Sequence, residues 1–491
     1  MNKSKFRRLI EKRILILDGA MGTMLQNYNI TYRCPEELNL KSPDIIREVH
    51  KSYVNAGADI ILTNTFGANR LKLSQFNLEH LTQDLNKKAV ELAKSFNVIV
   101  AGDIGPLGQY IEPLSTLNFD QAYEIYKEQV RALSGVDLLI IETIADIKVF
   151  KAAVMAAKEN SNCPVIALMT FENFRTSTGT DLKVMATVAE ALDCDAIGVN
   201  CSSGPKEFIK ILDILIKETY LPIVMEPNAG IRDIIDPKEF ASYCKQMALI
   251  GANIIGGCCG TTPQHISELV KQIRGLEPVK RLTRSKTRFC SRTKCIEIKD
   301  KTIIVGERIN PSGKDKLKRD IISGRFELIR KEAISQVKEG ALMLDINIGI
   351  PGKDEKENMK KALRIVQNVV DVPLLIDSAN PEAIEEGLKE IAGKPIINSV
   401  DGNEDSLRLL ELAKRYGAGI IVLTIEKGIP KAVDERVKIA KKVINKALAM
   451  GIKKEDIFVD CVTLSIALDP NNEFVTLESM KNERRCHSTL S

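Results

Sequence analysis

From residue 14 onward the chain repeats one pattern: a short run of apolar, mostly β-branched positions, a polar residue at its end, a turn, and a stretch of helical periodicity. Residues 14–17 lead to Asp18-Gly19, 59–63 to Asn64-Thr65, 97–101 to Gly102-Asp103, and 138–141 to Glu142-Thr143. Residues 164–169 lead to Thr170, 196–199 to Asn200-Cys201, 222–225 to Glu226-Pro227-Asn228, and 253–255 to Gly256-Gly257-Cys258-Cys259. Runs this continuously apolar leave no face for water, as parallel strands buried on both sides require. Helical stretches at 44–55, 121–133, 147–159 and 237–248 lie between them. Eight βα units in about 260 residues predict a closed TIM-type barrel rather than an open doubly wound sheet. In such a barrel the C-terminal strand ends share one mouth, which Asp18, Asn64, Asp103, Glu142, Cys201, Glu226, Cys258 and Cys259 are expected to line.

A second series follows. Residues 302–305 lead to Gly306-Glu307-Arg308-Ile309-Asn310, 341–344 to Asp345 and Asn347, and 373–376 to Asp377. Residues 395–397 lead to Asn398, 419–423 to Thr424, and 457–459 to Asp460, with helices at 328–339, 435–450 and 473–480. This series counts six strands, not eight, and the tail 482–491 continues no βα pattern. The fold class read from the pattern is therefore α/β: two (β/α)8 TIM-type barrels in tandem, the second incomplete at about six strands. The expected domains are 1–275, a linker at 276–300, and 301–491 with its barrel truncated at the C-terminal side. A barrel lacking two strands leaves parallel edges unpaired.

Composition narrows this picture. Of 491 residues, 44% are apolar and 27% charged, ordinary for a globular protein. The net charge is +5, but residues 279–294 alone hold seven Lys or Arg and no acid, so the remainder is close to neutral. That argues for a basic linker and against a nucleic-acid-binding body. No run approaches about 20 apolar residues, so no membrane span is expected. The N-terminus lacks the apolar core of a secretion signal. Eleven cysteines, an odd number spread through a long chain, point to a reducing, cytoplasmic setting with thiols or metal ligands rather than a disulfide frame.

The candidate chemistry centres on Gly256-Gly257-Cys258-Cys259-Gly260-Thr261-Thr262-Pro263. Adjacent cysteines close a strained ring if they pair, but two thiolates on one turn suit a soft ion such as zinc. Cys201, on the same predicted mouth, supplies a third thiolate and leaves a fourth position for a substrate thiol, which zinc would deprotonate at neutral pH. The reaction class this implies is S-alkylation. Cys34, Cys163, Cys194, Cys244, Cys290, Cys295, Cys461 and Cys486 have no such setting and read as small buried hydrophobes. None of the four histidines, His50, His80, His265 and His487, ends a strand, which disfavours a histidine-based triad. Asp18, Glu142 and Glu226, with Asn64 and Asn228 as hydrogen-bond partners, could hold a substrate ammonium. In the second half, Glu307, Asn310, Asp345, Asn347, Asp377, Asn398 and Asp460 gather acids and amides at one mouth. Carboxylates beside amides match the donor–acceptor edge of a planar, nitrogen-rich heterocycle. No Walker loop or dinucleotide fingerprint accompanies them.

Leu17-Asp18-Gly19-Ala20-Met21-Gly22-Thr23, Thr63-Asn64-Thr65-Phe66, Gly102-Asp103-Ile104-Gly105-Pro106, Glu226-Pro227-Asn228-Ala229-Gly230 and the double-cysteine turn resemble the homocysteine-binding barrel of the cobalamin-dependent methionine synthase family. The resemblance covers about residues 10–275 and implies zinc on Cys201, Cys258 and Cys259. Val305-Gly306-Glu307-Arg308-Ile309-Asn310-Pro311, Leu344-Asp345-Ile346-Asn347, Ile376-Asp377-Ser378 and Ile397-Asn398-Ser399 resemble the same family's pterin-binding barrel. By that resemblance Asp377, Asn398 and Asp460 would contact the pterin of 5-methyltetrahydrofolate. The family's later asparagine and its cobalamin module, marked by Asp-x-His-x-x-Gly, have no counterpart in the sequence, so cobalamin is expected on a separate corrinoid-binding domain or protein. The implied activity is methionine formation from homocysteine and methyltetrahydrofolate through a corrinoid. The alternatives are a corrinoid-independent homocysteine S-methyltransferase using a sulfonium or betaine donor, and an inactive truncated zinc- and homocysteine-binding product.

Overall fold

Each of the first eight apolar runs is a strand: β1 (Leu15–Ile16), β2 (Ile60–Leu62), β3 (Ile99–Ile104), β4 (Leu138–Ile144), β5 (Val165–Met169), β6 (Ala196–Asn200), β7 (Ile223–Glu226) and β8 (Ile254–Ile255). The computed structural model describes residues 1–230, 233–282, 284–299, 301–464 and 472–489, and divides the chain into two units, Met1–Arg284 and Ser285–Ser491. In the first unit the strands pair in parallel in the order β1-β8-β7-β6-β5-β4-β3-β2, and a parallel bridge from Leu17 to Ile60 closes the ring. Helices at Pro43–Ala56, Phe119–Ala132, Ile147–Asn160 and Pro237–Ile250 fall where the periodicity put them.

Alternate residues of these strands point inward, and Leu15, Ile60, Leu138, Ile166, Ala196 and Val224 belong to one buried cluster. That cluster is completed from below by a helix absent from the expectation, Lys3–Lys12, which inserts Phe6 and Ile10 among the strand starts. Its N-cap is Asn2, whose side chain accepts from Lys5 N at 2.8 Å. Burying those two side chains contributes about 1.5–3 kcal/mol each. The barrel floor is sealed by residues that precede its first strand.

The second unit repeats the device with a different element. Strands β9 (Arg288–Cys290) and β10 (Cys295–Glu297) form an antiparallel hairpin. Phe289 and Ile296 on one face of that hairpin pack with Met343, Leu375 and Ile396 of the sheet above. A side chain at Gly419 would bring its Cβ to 2.5 Å from the Phe289 ring, so only glycine fits there. The hairpin edge is pinned by reciprocal backbone bonds between Cys290 and Lys394, at 3.3 and 3.0 Å. Lys394 in turn holds Asp456 at 2.6 Å in a buried ion pair. Residues 276–300, read as a basic linker, are therefore not a tether throughout. Two of their cations are drawn into contacts: Arg281 donates to Thr219 O at 3.3 Å, and Arg288 pairs with Glu297 at 3.0 Å.

Above the hairpin lie β11 (Val305–Ile309), β12 (Met343–Ile346), β13 (Leu374–Asp377), β14 (Ile396–Val400), β15 (Gly419–Leu423) and β16 (Ile457–Asp460). They form a parallel sheet in sequence order, so among the described residues β11 and β16 each pair with one neighbour. This is a TIM-type barrel wall in part. The chain then forms a helix, Asn472–Thr489, that runs on through most of the tail expected to leave the pattern; 490–491 lie outside the described residues. Buried Arg436 anchors it, donating to Asn472 Oδ1 at 2.5 Å and Thr476 Oγ1 at 3.1 Å while binding the Val462 carbonyl at 2.9 Å. No described helix is long and apolar enough to cross a membrane.

Candidate active site

Cys201 follows β6 with φ 57°, and Cys258 and Cys259 occupy the turn after β8. Their three sulfur atoms lie within 4.8 Å of one another, with Cys201 and Cys259 at 3.9 Å. Among the described residues no other set of three cysteine, histidine or acidic side chains comes together this way. The segment after β7 acts as a splint between the two corners. Cys201 N donates to Glu226 O at 3.1 Å, Cys258 N to Pro227 O at 2.9 Å, and Ala229 N to Cys259 O at 2.9 Å. Gly260, at φ +82°, passes so close to Gly230 that a Cβ would sit 1.6 Å from its carbonyl oxygen. Thr261 ties the turn to β1: its hydroxyl donates to Cys258 O at 2.7 Å and accepts from Ala20 N at 3.0 Å. The Tyr53 hydroxyl donates to Ala20 O at 2.8 Å.

The thiols share charge unequally. Hydrogen bonds from Cys258, then Cys259, favour the thiolate at Cys201 and pull its pKa down to about 2. The same bonds push Cys258 up and Cys259 to about 11. Three sulfurs at this spacing fit a thiophilic cation.

A ring of carboxyls faces the thiols from the same mouth. Asp18, Asp103, Glu142 and Glu226 are all buried. Burial pushes the Glu142 carboxyl up to about 7. Asp18, Asp103 and Glu226 stand well above the usual carboxylate range, first from burial and then from mutual repulsion in which Glu142 takes part. Asp103 Oδ1, Glu226 Oε1 and Asn228 Oδ1 are buried with no hydrogen-bond partner. An unmet buried acceptor costs about 1–3 kcal/mol, so these atoms call for donors from a ligand. Asn228 also bonds toward the Cys201 sulfur, linking the two groups.

Some of the polar side chains near this mouth already have partners in the fold. Asn64 donates its amide to Pro35 O at 2.8 Å and Asn39 Oδ1 at 3.0 Å, so it holds the 35–39 segment in place. His265 sits in the helix Pro263–Ile273 with Thr262 at 2.9 Å from one ring nitrogen and Ile235 O at 2.9 Å from the other. The Cys486 and His487 side chains lie outside the described ones. Asp103 was legible as a mouth residue but not as part of the ligand set. Tyr53 and Thr261 carried no signal beyond a polar atom in an otherwise apolar or turn segment. Asn200 carried one: a polar residue closing a buried strand directly before a candidate ligand.

The second unit's mouth gathers fewer groups. Asp377 on β13 and Asn398 on β14 are register partners, and Asn398 Nδ2 donates to Asp345 Oδ1 at 3.2 Å. Burial, then the Asp377 charge, pushes Asp345 up to about 7. Asp377 is also raised, chiefly by burial, and bonds to Asn347. Glu307 stands close enough to add to the Asp345 shift. Asn310 accepts from Ser312 N at 2.9 Å and Asp460 from Val462 N at 2.8 Å, so both side chains brace their own turns.

A profile described as homocysteine S-methyltransferase matches residues 15–273, over half of the chain. The chain belongs to the homocysteine S-methyltransferase family. Joined to this homocysteine S-methyltransferase unit, residues 306–489 match a profile described as pterin binding enzyme. The chain is 29% identical over 506 aligned positions to a methionine synthase of Mycobacterium leprae and 28% identical over 526 to one of Mycobacterium tuberculosis. Those alignments cover 93% and 98% of this chain but only 42% and 44% of the relatives, so the chain spans less than half of their length. Among solved structures, the homocysteine methyltransferase MmuM of Escherichia coli in its oxidized form is 28% identical, with a TM-score of 0.48. That alignment covers 54% of this chain and 97% of the other.

Proposed function

We propose that this protein methylates the sulfur of homocysteine to give methionine, with 5-methyltetrahydrofolate as the methyl source and a corrinoid-binding domain or protein as partner. The observation that carries the reading is the meeting of three thiols within 4.8 Å with a buried carboxyl ring on the same barrel mouth. Cys201, Cys258 and Cys259 would hold a zinc ion. Bound there, zinc would lower the pKa of an incoming thiol so that it is a thiolate at neutral pH. Glu142, Asp18 and Glu226 would take the substrate ammonium, giving up their shared protons to do so. Asn228, one atom bonded toward Cys201 and another unmet, would accept from the same group. The new bond joins sulfur to the methyl carbon, and the old bond leaves with its electron pair on the donor.

In the second unit, the amide and carboxyl edge of Asn398, Asp345, Asp377 and Asn347 would bind the pterin, with protonated Asp345 able to donate as well as accept. Glu307, Asn310 and Asp460 would form the rim. The proposed setting is the cytoplasm, in keeping with eleven cysteines.

The test is methionine formation by the zinc-loaded full chain from homocysteine with free methylcobalamin, compared with S-methylmethionine. Turnover with methylcobalamin is expected. Turnover with the sulfonium alone would overturn the corrinoid reading, and no binding of homocysteine at all would overturn the substrate. Calorimetry with methyltetrahydrofolate tests the second unit separately.

A further inference from the structure

Asn200 is fully buried at the end of β6, and its side chain reaches past β5 to β4. Its Oδ1 accepts from Thr143 N at 2.8 Å, and its Nδ2 donates to Thr143 Oγ1 at 2.8 Å and to the Glu142 carboxyl. Both donors of the amide and its acceptor oxygen are thus engaged at one place. That place is irregular. The register between β4 and β5 shifts between Ile141 and Ile144, and Thr143 sits at φ 58°, a left-handed conformation unfavourable for a β-branched residue. The bulge turns Glu142 toward the mouth, and the Asn200 amide is what satisfies the backbone it leaves open. The next residue after Asn200 is Cys201, which begins a second left-handed corner with Ser202 at φ 59°. One amide therefore joins the corner that carries a carboxyl to the corner that carries a thiol.

We propose that Asn200 is a positioning residue that sets the span between the Glu142 carboxyl and the Cys201 sulfur, and so makes the site selective for homocysteine over cysteine, which is one methylene shorter. This rests on the reading of the first mouth as a homocysteine site. A ligand held by its ammonium at one end and its sulfur at the other is measured by the distance between the two holders, and a rigid span discriminates a single methylene by roughly tenfold or more. If the span loosens, the shorter ligand is accommodated and the longer one loses its fixed register.

The experiment is calorimetric binding of L-homocysteine and of L-cysteine to the zinc-loaded full chain, wild type against Asn200→Ala and Asn200→Asp, with zinc content measured on each. Asn200→Asp keeps the size and the acceptor for Thr143 N but replaces the two amide donors with at most one hydroxyl donor, so it perturbs the same contacts without opening the cavity that the alanine variant leaves. Wild type is expected to prefer homocysteine by at least about tenfold. In a folded variant the zinc content should hold and the preference should fall by roughly that factor, mostly through weaker homocysteine binding. An unchanged preference, or parallel loss of both ligands together with the metal, would overturn the proposal. Wild type that binds zinc but neither amino acid would instead overturn the substrate reading beneath it.

Discussion

The two units solve one packing problem in two ways, and the difference shows in their chemistry. The first closes eight strands into a ring and seals it below with the helix Lys3–Lys12. The second lays six strands side by side over the hairpin of Phe289 and Ile296, with β11 and β16 paired on one side only among the described residues. Closure governs how dry the mouth is. In the ring, Glu226 is 3% exposed and three carboxyls are driven well above their ordinary range. In the six-stranded wall, Asp345 is 8% exposed, Asp377 is half-buried, and Asp460 is exposed. Strand-end acids are raised by burial in both mouths, but in the ring all four are buried, whereas in the wall Asp345 is buried while Asp377, Glu307 and Asp460 are not.

Cysteine replacement gives the largest expected separation of the two units. Cys258→Ala should reduce bound zinc from about one per chain to near zero and homocysteine methylation to background, while calorimetric pterin binding by the second unit is unchanged. Equal zinc in variant and wild type by metal analysis would remove the site. Next come the floor residues. Phe6→Ala should destabilise the first unit and Phe289→Ala the second, each by about 3–5 kcal/mol. Two calorimetric transitions that move independently would support separate folding, whereas one shared shift would break the comparison.

The pH dependence of the second unit is a more gradual effect. Asp345 has a folded pKa raised to about 7 from an ordinary 3.8. As pH rises from about 4 to 7 the unfolded chain gives up this proton while the folded unit keeps it. Stability contributed by Asp345 is therefore greatest in acid, falls through that window, and is level above it. Asp345→Asn should remove about 1.4 kcal/mol per pH unit from the slope there, read by urea unfolding at a series of pH values. An unchanged slope would mean the acid is not held protonated. The smallest effects belong to the helix caps. Asn118 accepts from Gln121 N at 2.8 Å in the first unit, and Asp354 from Glu357 N at 3.0 Å in the second. Alanine at either should cost about 1 kcal/mol and lower only its own unit's melting temperature.

Much of this was legible in the sequence because buried parallel strands leave a strong signal. Runs such as 138–141 and 164–169 have no polar face, and each polar residue that ends one falls at a mouth. The three thiols could be brought together by counting strands alone. The floors were not legible. The helix Lys3–Lys12 shows only Phe6, Leu9 and Ile10 at helical spacing among many charges, and the hairpin lies in a stretch whose cations read as solvated. What hid the hairpin was the fate of those cations, since Arg288 is buried against Glu297 rather than hydrated. Asn64 shows a related limit: a strand-end amide can face a ligand or a loop, and only the fold shows that its NH2 goes to Pro35 and Asn39. The span set by Asn200 needed the bulge at Glu142, which no sequence period reveals.

In both units the sealing residue comes before every strand it seals. As the chain leaves the ribosome, Phe6 and Phe289 emerge ahead of their sheets and remain uncovered until the strands assemble over them. The natural place to divide the protein for separate expression is accordingly between Arg284 and Ser285. A second-half fragment begun at residue 301 would carry all six strands and still lack its base.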